Sequence, residues 1–167
     1  MRLPNRKPGK YTFKKFDPVM TEEKLKALQE KLAHIKKDTL PRAIKETQKY
    51  AENGDFSENA EYQIAKGRLR GLLQTVDELQ YQISNAQVIE QPQDTSVVQV
   101  GHMVTFSINN MEQTFQILGS AENNPSAGII SYKSPLGSAL LGHAVGETVN
   151  VEIGDKQIAC TIRQIRN

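Results

Sequence analysis

Asn53-Gly54-Asp55-Phe56-Ser57-Glu58-Asn59-Ala60-Glu61-Tyr62 separates two long segments whose apolar residues recur at alternating spacings of three and four. Its reading decides the fold. Asn-Gly is turn chemistry, and the segments on either side have helical periodicity, so the stretch reads as the tip of a helical hairpin. Only six residues, Asn53 to Glu58, join the arms, which makes the arms antiparallel neighbours. Two carboxylates three residues apart, Asp55 and Glu58, then stand at the end of a rod.

The first arm opens at Thr21, a hydroxyl N-cap followed by Glu22 and Glu23 against the positive end of the helix dipole. Leu25, Leu28, Leu32 and Ile35 follow as a seam of a and d positions. Pro41 lacks an N–H and clashes with the preceding turn, so a kink or restart is expected at Leu40. Ile44, Thr47 and Ala51 then continue the face to the tip. In the second arm Ala65, Leu69, Leu72, Val76, Leu79, Ile83 and Ala86 alternate by four and three, a specific signal for coiled-coil packing. With about 28 residues per arm at about 1.5 Å each, the rod is roughly 40 Å long.

Glu90 to Ser96 breaks the periodicity and reads as a linker. Beyond it the period changes to two. Strands are expected over 103–108 and 113–118, at 129–132, over 148–153 and over 157–165, with a brief helix after Ser134, entered through Pro135. The chain is therefore of the α+β class. A basic extension (1–19) precedes a coiled-coil hairpin (20–90, acidic tip at 53–62), a linker (91–96) and a small antiparallel-sheet domain with one short helix (97–167).

Net charge is +2, with the positive excess in residues 1–19, where six cations face one acid, Asp17. That segment reads as a loosely docked, mostly solvated tail. The single cysteine, Cys160, excludes an intrachain disulfide and a cysteine-cluster metal site, and its alternation with Ile158 and Ile162 makes it a core residue of a strand. No apolar run approaches a membrane span, and the N-terminus has no apolar signal core. A soluble, cytosolic monomer without a membrane partner is expected.

Two readings of the tip acids stand side by side. As structure, Asp55 to Glu58 fits a capping-box variant, with Asp55 as N-cap and Glu58 at N3. As chemistry, two carboxylates cannot make a self-sufficient metal cage. Mg²⁺, however, commonly binds through one or two carboxylates, waters and phosphate oxygens. The pair is then a half-site completed by another molecule.

Gly54 to Tyr62 resembles the tip motif of the bacterial Gre transcript-cleavage factors. Met20-Thr21, Pro41, Ser84-Asn85-Ala86-Gln87-Val88-Ile89, Ser134-Pro135-Leu136, Ala139 to Gly142 and Val145-Gly146-Glu147 extend the similarity over about residues 19–167. The resemblance implies an FKBP-like second domain docking at the rim of the secondary channel of RNA polymerase, with the hairpin inserted into that channel. There Asp55 and Glu58 would help to hold a Mg²⁺ shared with the polymerase active site, with no permanently bound cofactor. The polymerase would then cut the extruded 3′ end of its own backtracked transcript, so the factor activates a nuclease and is not one itself. Gly54, Asn59, Glu61 and Tyr62 would support the tip, and Lys66 and Arg70 would contact the nascent RNA. Ser134 and Pro135 would take part in docking, against a plain reading of them as turn and core. The run Lys66 to Arg70 is more GreB-like than GreA-like, and Ala51 replaces a residue often basic in GreA. Three alternatives are a prolyl isomerase or chaperone built on the FKBP-like half, a Gre-like inhibitor of the same channel, and a purely structural coiled-coil adaptor. An isomerase pocket needs aromatics, and residues 97–167 offer only Phe106, Phe115 and Tyr132.

Overall fold

The computed structural model describes residues 16–52, 59–108, 111–154 and 156–167. A two-residue strand, β1 (Val19–Met20), leads into α1 (Glu22–His34), a π-helical turn (Ile35–Thr39) and α2 (Leu40–Ala51). The second arm is α3 (Ala60–Ser84), followed by β2 (Gln87–Val88), which pairs in parallel with β1. Thr21 caps α1 as expected, its hydroxyl accepting the Lys24 N–H at 3.1 Å. A coiled-coil core of Ile35, Val76 and Leu79, with Leu28, Leu32 and Leu72 against it, joins the arms.

Pro41 is accommodated by the π turn rather than by a break. Leu40 N–H reaches back five residues to the Ile35 carbonyl, so the turn carries one extra residue. An inserted residue also shifts the heptad phase by one. The seam runs Leu28, Leu32, Ile35 and then Ala43, which is 4% exposed, while Ile44 is turned outward at 39%. The expectation that Ile44 lines the seam is therefore corrected, for a reason local to Pro41. Ala86 is also removed from the helical seam, because α3 ends at Ser84.

The second half is a five-stranded sheet of β3 (Met103–Ile108), β4 (Met111–Leu118), β5 (Ile129–Ser131), β6 (Thr148–Ile153) and β7 (Lys156–Arg166), in the order β5-β4-β3-β7-β6. One short helix, α4 (Pro135–Leu140), covers it. The sheet is mixed, not wholly antiparallel. Residues 119–128 cross back through two 3-10 turns, so β5 lies parallel to β4. Phe106 and Ile162 are fully buried at the centre of this core, with Leu140 of α4. Cys160 sits there as expected, and burial pushes its thiol up to about 11, leaving it protonated. Of the aromatics an isomerase pocket would call on, Phe106 is fully buried and Phe115 stacks on it at 5.8 Å. Tyr132 gives its hydroxyl to Asp17.

That last contact belongs to the junction between the halves. Of the tail expected over residues 1–19, residues 16–19 are instead a docked strap. Phe16 packs edge-on against Tyr81 of α3 at 6.0 Å, and Met20 is fully buried. Asp17, 6% exposed, accepts from Ser120 N–H (2.9 Å), Tyr132 O–H (3.0 Å) and Lys133 Nζ (3.0 Å). In return Glu122 accepts from Thr21 N–H (3.0 Å) and from the Thr21 hydroxyl. Gly119 permits the approach, since a Cβ there would sit 1.8 Å from the Val19 carbonyl oxygen.

Candidate functional site at the hairpin tip

The second arm begins at Ala60, and its N-cap is Asn59, whose side-chain oxygen accepts the Tyr62 N–H at 3.0 Å. The capping reading placed the N-cap of this arm at Asp55, and the cap lies four residues further on. Capping α3 is thus the work of Asn59. Asp55, Glu58 and Gly54 lie outside the described residues.

Asn59 does a second job. Its side-chain N–H donates to the Tyr50 carbonyl at 2.9 Å, near the end of α2, so one amide closes the start of one arm onto the finish of the other. An amide suits this because it holds an acceptor and donors on one carbon. Asn59→Ala removes both bonds, and is expected to cost about 1 kcal/mol for the cap and about as much for the cross-tip bond. Asn59→Asp keeps the acceptor and loses only the donor. Urea unfolding followed by helical circular dichroism measures both. Full stability of the alanine variant would show that neither bond matters.

Glu61 lies in the first turn of α3, where a carboxylate faces the positive end of the helix dipole. Tyr62 is half-buried, and the Lys66 ammonium lies over its ring, 5.4 Å from the centroid. Four of the residues singled out in the sequence are therefore gathered at the foot of the tip: Asn59, Glu61, Tyr62 and Lys66. Arg70 is exposed one turn further from the tip. Arg68 pairs across the arms with Glu46 at 3.1 Å, a partly exposed ion pair worth at most about 1 kcal/mol. Arg42, Lys45 and Lys49 of α2 are exposed.

Among the described residues no group of three or more His, Cys, Asp or Glu is placed to hold a metal ion. The two tip carboxylates expected from the sequence to share a Mg²⁺ lie outside those residues.

Far from the tip, Ser134 caps α4. Its hydroxyl accepts from Gly137 N–H at 3.0 Å and donates to the Ser131 carbonyl at 2.6 Å, so its side chain is committed to the fold. Pro135 is exposed beside Ser138, Asn150 and Glu152, in a shallow depression between α4 and β6. The sequence reading missed the junction residues Asp17, Glu122 and Lys133. The available signal was Asp17 as the lone acid in a cationic segment, directly before the first helix.

No helix among the described residues is long and apolar enough to cross a membrane. The family described as transcription elongation factor, GreA/GreB, C-terminal, matches residues 92–167, and the corresponding N-terminal family matches residues 18–88. Transcription elongation factor GreA of Thermomicrobium roseum is 37% identical over 152 residues, covering 88% of this chain and 96% of the relative. GreA of Macrococcus caseolyticus is 37% identical over 136 residues, covering 80% and 86%. The crystal structure of GreA factor homolog 1 of Thermus thermophilus is 24% identical, covers 89% of this chain and 97% of its own, and gives a TM-score of 0.40.

Proposed function

The chain belongs to the GreA/GreB family of transcription elongation factors, and from that premise we propose that it binds RNA polymerase and stimulates the polymerase's own cleavage of backtracked RNA. The sheet half docks outside the secondary channel, and the hairpin carries the tip inward to the active site. Asp55 and Glu58 would hold a Mg²⁺ shared with the polymerase, and when bound this ion supplies polarisation of the attacking water. Asn59, the next residue in sequence after Glu58, ties the two arms together. Lys66, held over Tyr62, offers a positive charge to phosphates of the extruded RNA 3′ end. The protein is a factor for another enzyme's reaction rather than a free-standing nuclease.

The observation that carries this reading is the motif Gly54 to Tyr62 at the end of a two-helix rod, with a donor set that is incomplete without a partner. The test uses a stalled, backtracked elongation complex with labelled RNA. Adding the protein should release short 3′ fragments in a Mg²⁺-dependent manner and restore elongation. Unchanged RNA at saturating protein would sink the proposal.

A further inference from the structure

The root of the hairpin carries an arrangement that neither half needs for its own core. Each half sends a carboxylate into the other: Asp17 into the donors of Ser120, Tyr132 and Lys133, and Glu122 onto the backbone and hydroxyl of Thr21 at the start of α1. The two are not equivalent in chemistry. Asp17 is a buried anion satisfied by three donors of the sheet half, whereas Glu122 adds a negative charge at a helix N-terminus already capped by Thr21. Between them runs the strap of residues 16–20, hydrogen-bonded to the segment just after α3, at the root of the hairpin, through Gln87 N–H to the Pro18 carbonyl and Ile89 N–H to the Met20 carbonyl. The strap is thus held to the rod on one side and to the sheet half on the other.

We infer that Asp17 and Glu122 are positioning residues, forming a reciprocal clasp that sets the direction in which the hairpin leaves the sheet half. The consequence at the tip rests on the proposed function; the clasp itself does not. Leverage gives the reason for it. The 25 residues of α3 span about 37 Å at about 1.5 Å each, so a rotation of about 10° at the root moves the tip by roughly 6 Å. Groups in a catalytic constellation must be held to within about 0.5 Å. A rod that delivers two ligands to a site on another molecule therefore needs stiffness at its base as much as at its end. The covalent connection through residues 89–97 is one strand of chain. The strap and its two carboxylates add a second link, made of charge-assisted bonds across a closely approached backbone.

The pH response follows from the same contacts. Burial alone would raise the Asp17 pKa, but the hydrogen bonds from Ser120, Lys133 and Tyr132 outweigh it and hold the carboxyl well below the usual range. A depressed folded-state pKa gives stabilisation that is complete above the unfolded value of about 3.9 and is lost as pH falls below it. Lys133, Tyr132 and Glu122 are the other titratable groups at the junction. Asp17 should keep its side of the clasp from pH 8 to pH 5 and release it only in stronger acid.

The experiment is a spin-label distance measurement on the full chain, with labels at Gln74→Cys on α3 and Gln157→Cys on β7; Cys160 is buried and protonated, and stays unlabelled. One narrow distance distribution is expected for the otherwise native protein. In Asp17→Ala with Glu122→Ala it should broaden at least twofold, while hydrogen exchange shows α3 and the sheet still protected. If that double variant does not fold, Asp17→Asn with Glu122→Gln, which keeps the side-chain size, is read instead. In the cleavage assay the folded double variant should bind polymerase within twofold of the parent and stimulate cleavage at saturation at least tenfold less. A distribution as narrow as the parent's would overturn the clasp. A parent that fails to stimulate cleavage would overturn the proposed function, and the distance result would still decide the clasp.

Discussion

At saturating concentration, Asp55→Ala and Glu58→Ala are each expected to lower stimulated RNA cleavage by about a hundredfold or more, while affinity for polymerase stays within about threefold. The size follows from what the two carboxylates are proposed to do. Removing one preorganised electrostatic group from a reaction centre typically costs about 10²–10³ in rate. Affinity should survive because the proposed docking surface is in the sheet half and most of the rod lies elsewhere. Asp55→Asn is informative here, since it keeps the shape and loses the charge, and its loss should approach that of the alanine. Raising Mg²⁺ should recover part of the activity of either single variant and little of the double variant's. The structure sharpens the comparison with a purely structural role, because the second arm is capped by Asn59. If Asp55 were that cap, Asp55→Ala would cost the hairpin about 1 kcal/mol. With Asn59 in that place, the loss of the α3 cap in a thermal melt is expected of Asn59→Ala. Full cleavage activity in the double variant would refute the assignment.

How much of this was legible in the sequence differs by region, and for physical reasons. The hairpin was readable because burial on one helical face leaves a periodic trace, and Leu28, Leu32, Ile35, Val76 and Leu79 all fall where that trace put them. The phase slip after Ile35 was not. Pro41 signals trouble in a helix, but whether the chain kinks, breaks or adds a residue depends on how Ala43 and Ile44 then pack against α3. The strands were placed to within about two residues, because alternation survives in half-buried sheets. The parallel partner of β4 escaped, since pairing is a non-local choice made by the crossover through residues 119–128. The tip motif was legible as a word whose meaning came from resemblance, and Asn59 as the cross-arm tie came only from its distance to Tyr50. The junction was the least legible. Asp17 and Ser120 are 103 positions apart, and a buried carboxylate leaves no period in the chain.

Phe106→Ala should destabilise the sheet half by about 3–5 kcal/mol, the range for deleting a fully buried aromatic ring. Phe106 is 0% exposed, stacks on Phe115 and sits among Val104, Ile117 and Ile162, so the surroundings cannot close over the lost volume without moving strands. For a domain of this size 1 kcal/mol corresponds to about 4–8 °C, so the melting midpoint of this half should fall by roughly 15 °C or more. The hairpin should respond differently. Its core of Ile35, Val76 and Leu79 is a separate cluster, and it touches the sheet half mainly through the strap and the linker. Hydrogen exchange should therefore show β3, β4 and β7 amides losing protection in Phe106→Ala, while the centre of α3 keeps most of its own. Equal loss in both halves would mean that the two cores fold as one unit, and that the clasp at Asp17 and Glu122 couples their stabilities as well as their directions. Loss confined to the sheet would leave the rod intact but without a fixed base. Such a variant is expected to be inactive in the cleavage assay although Asn59, Asp55 and Glu58 are unchanged, because a tip that is correctly built still has to be aimed.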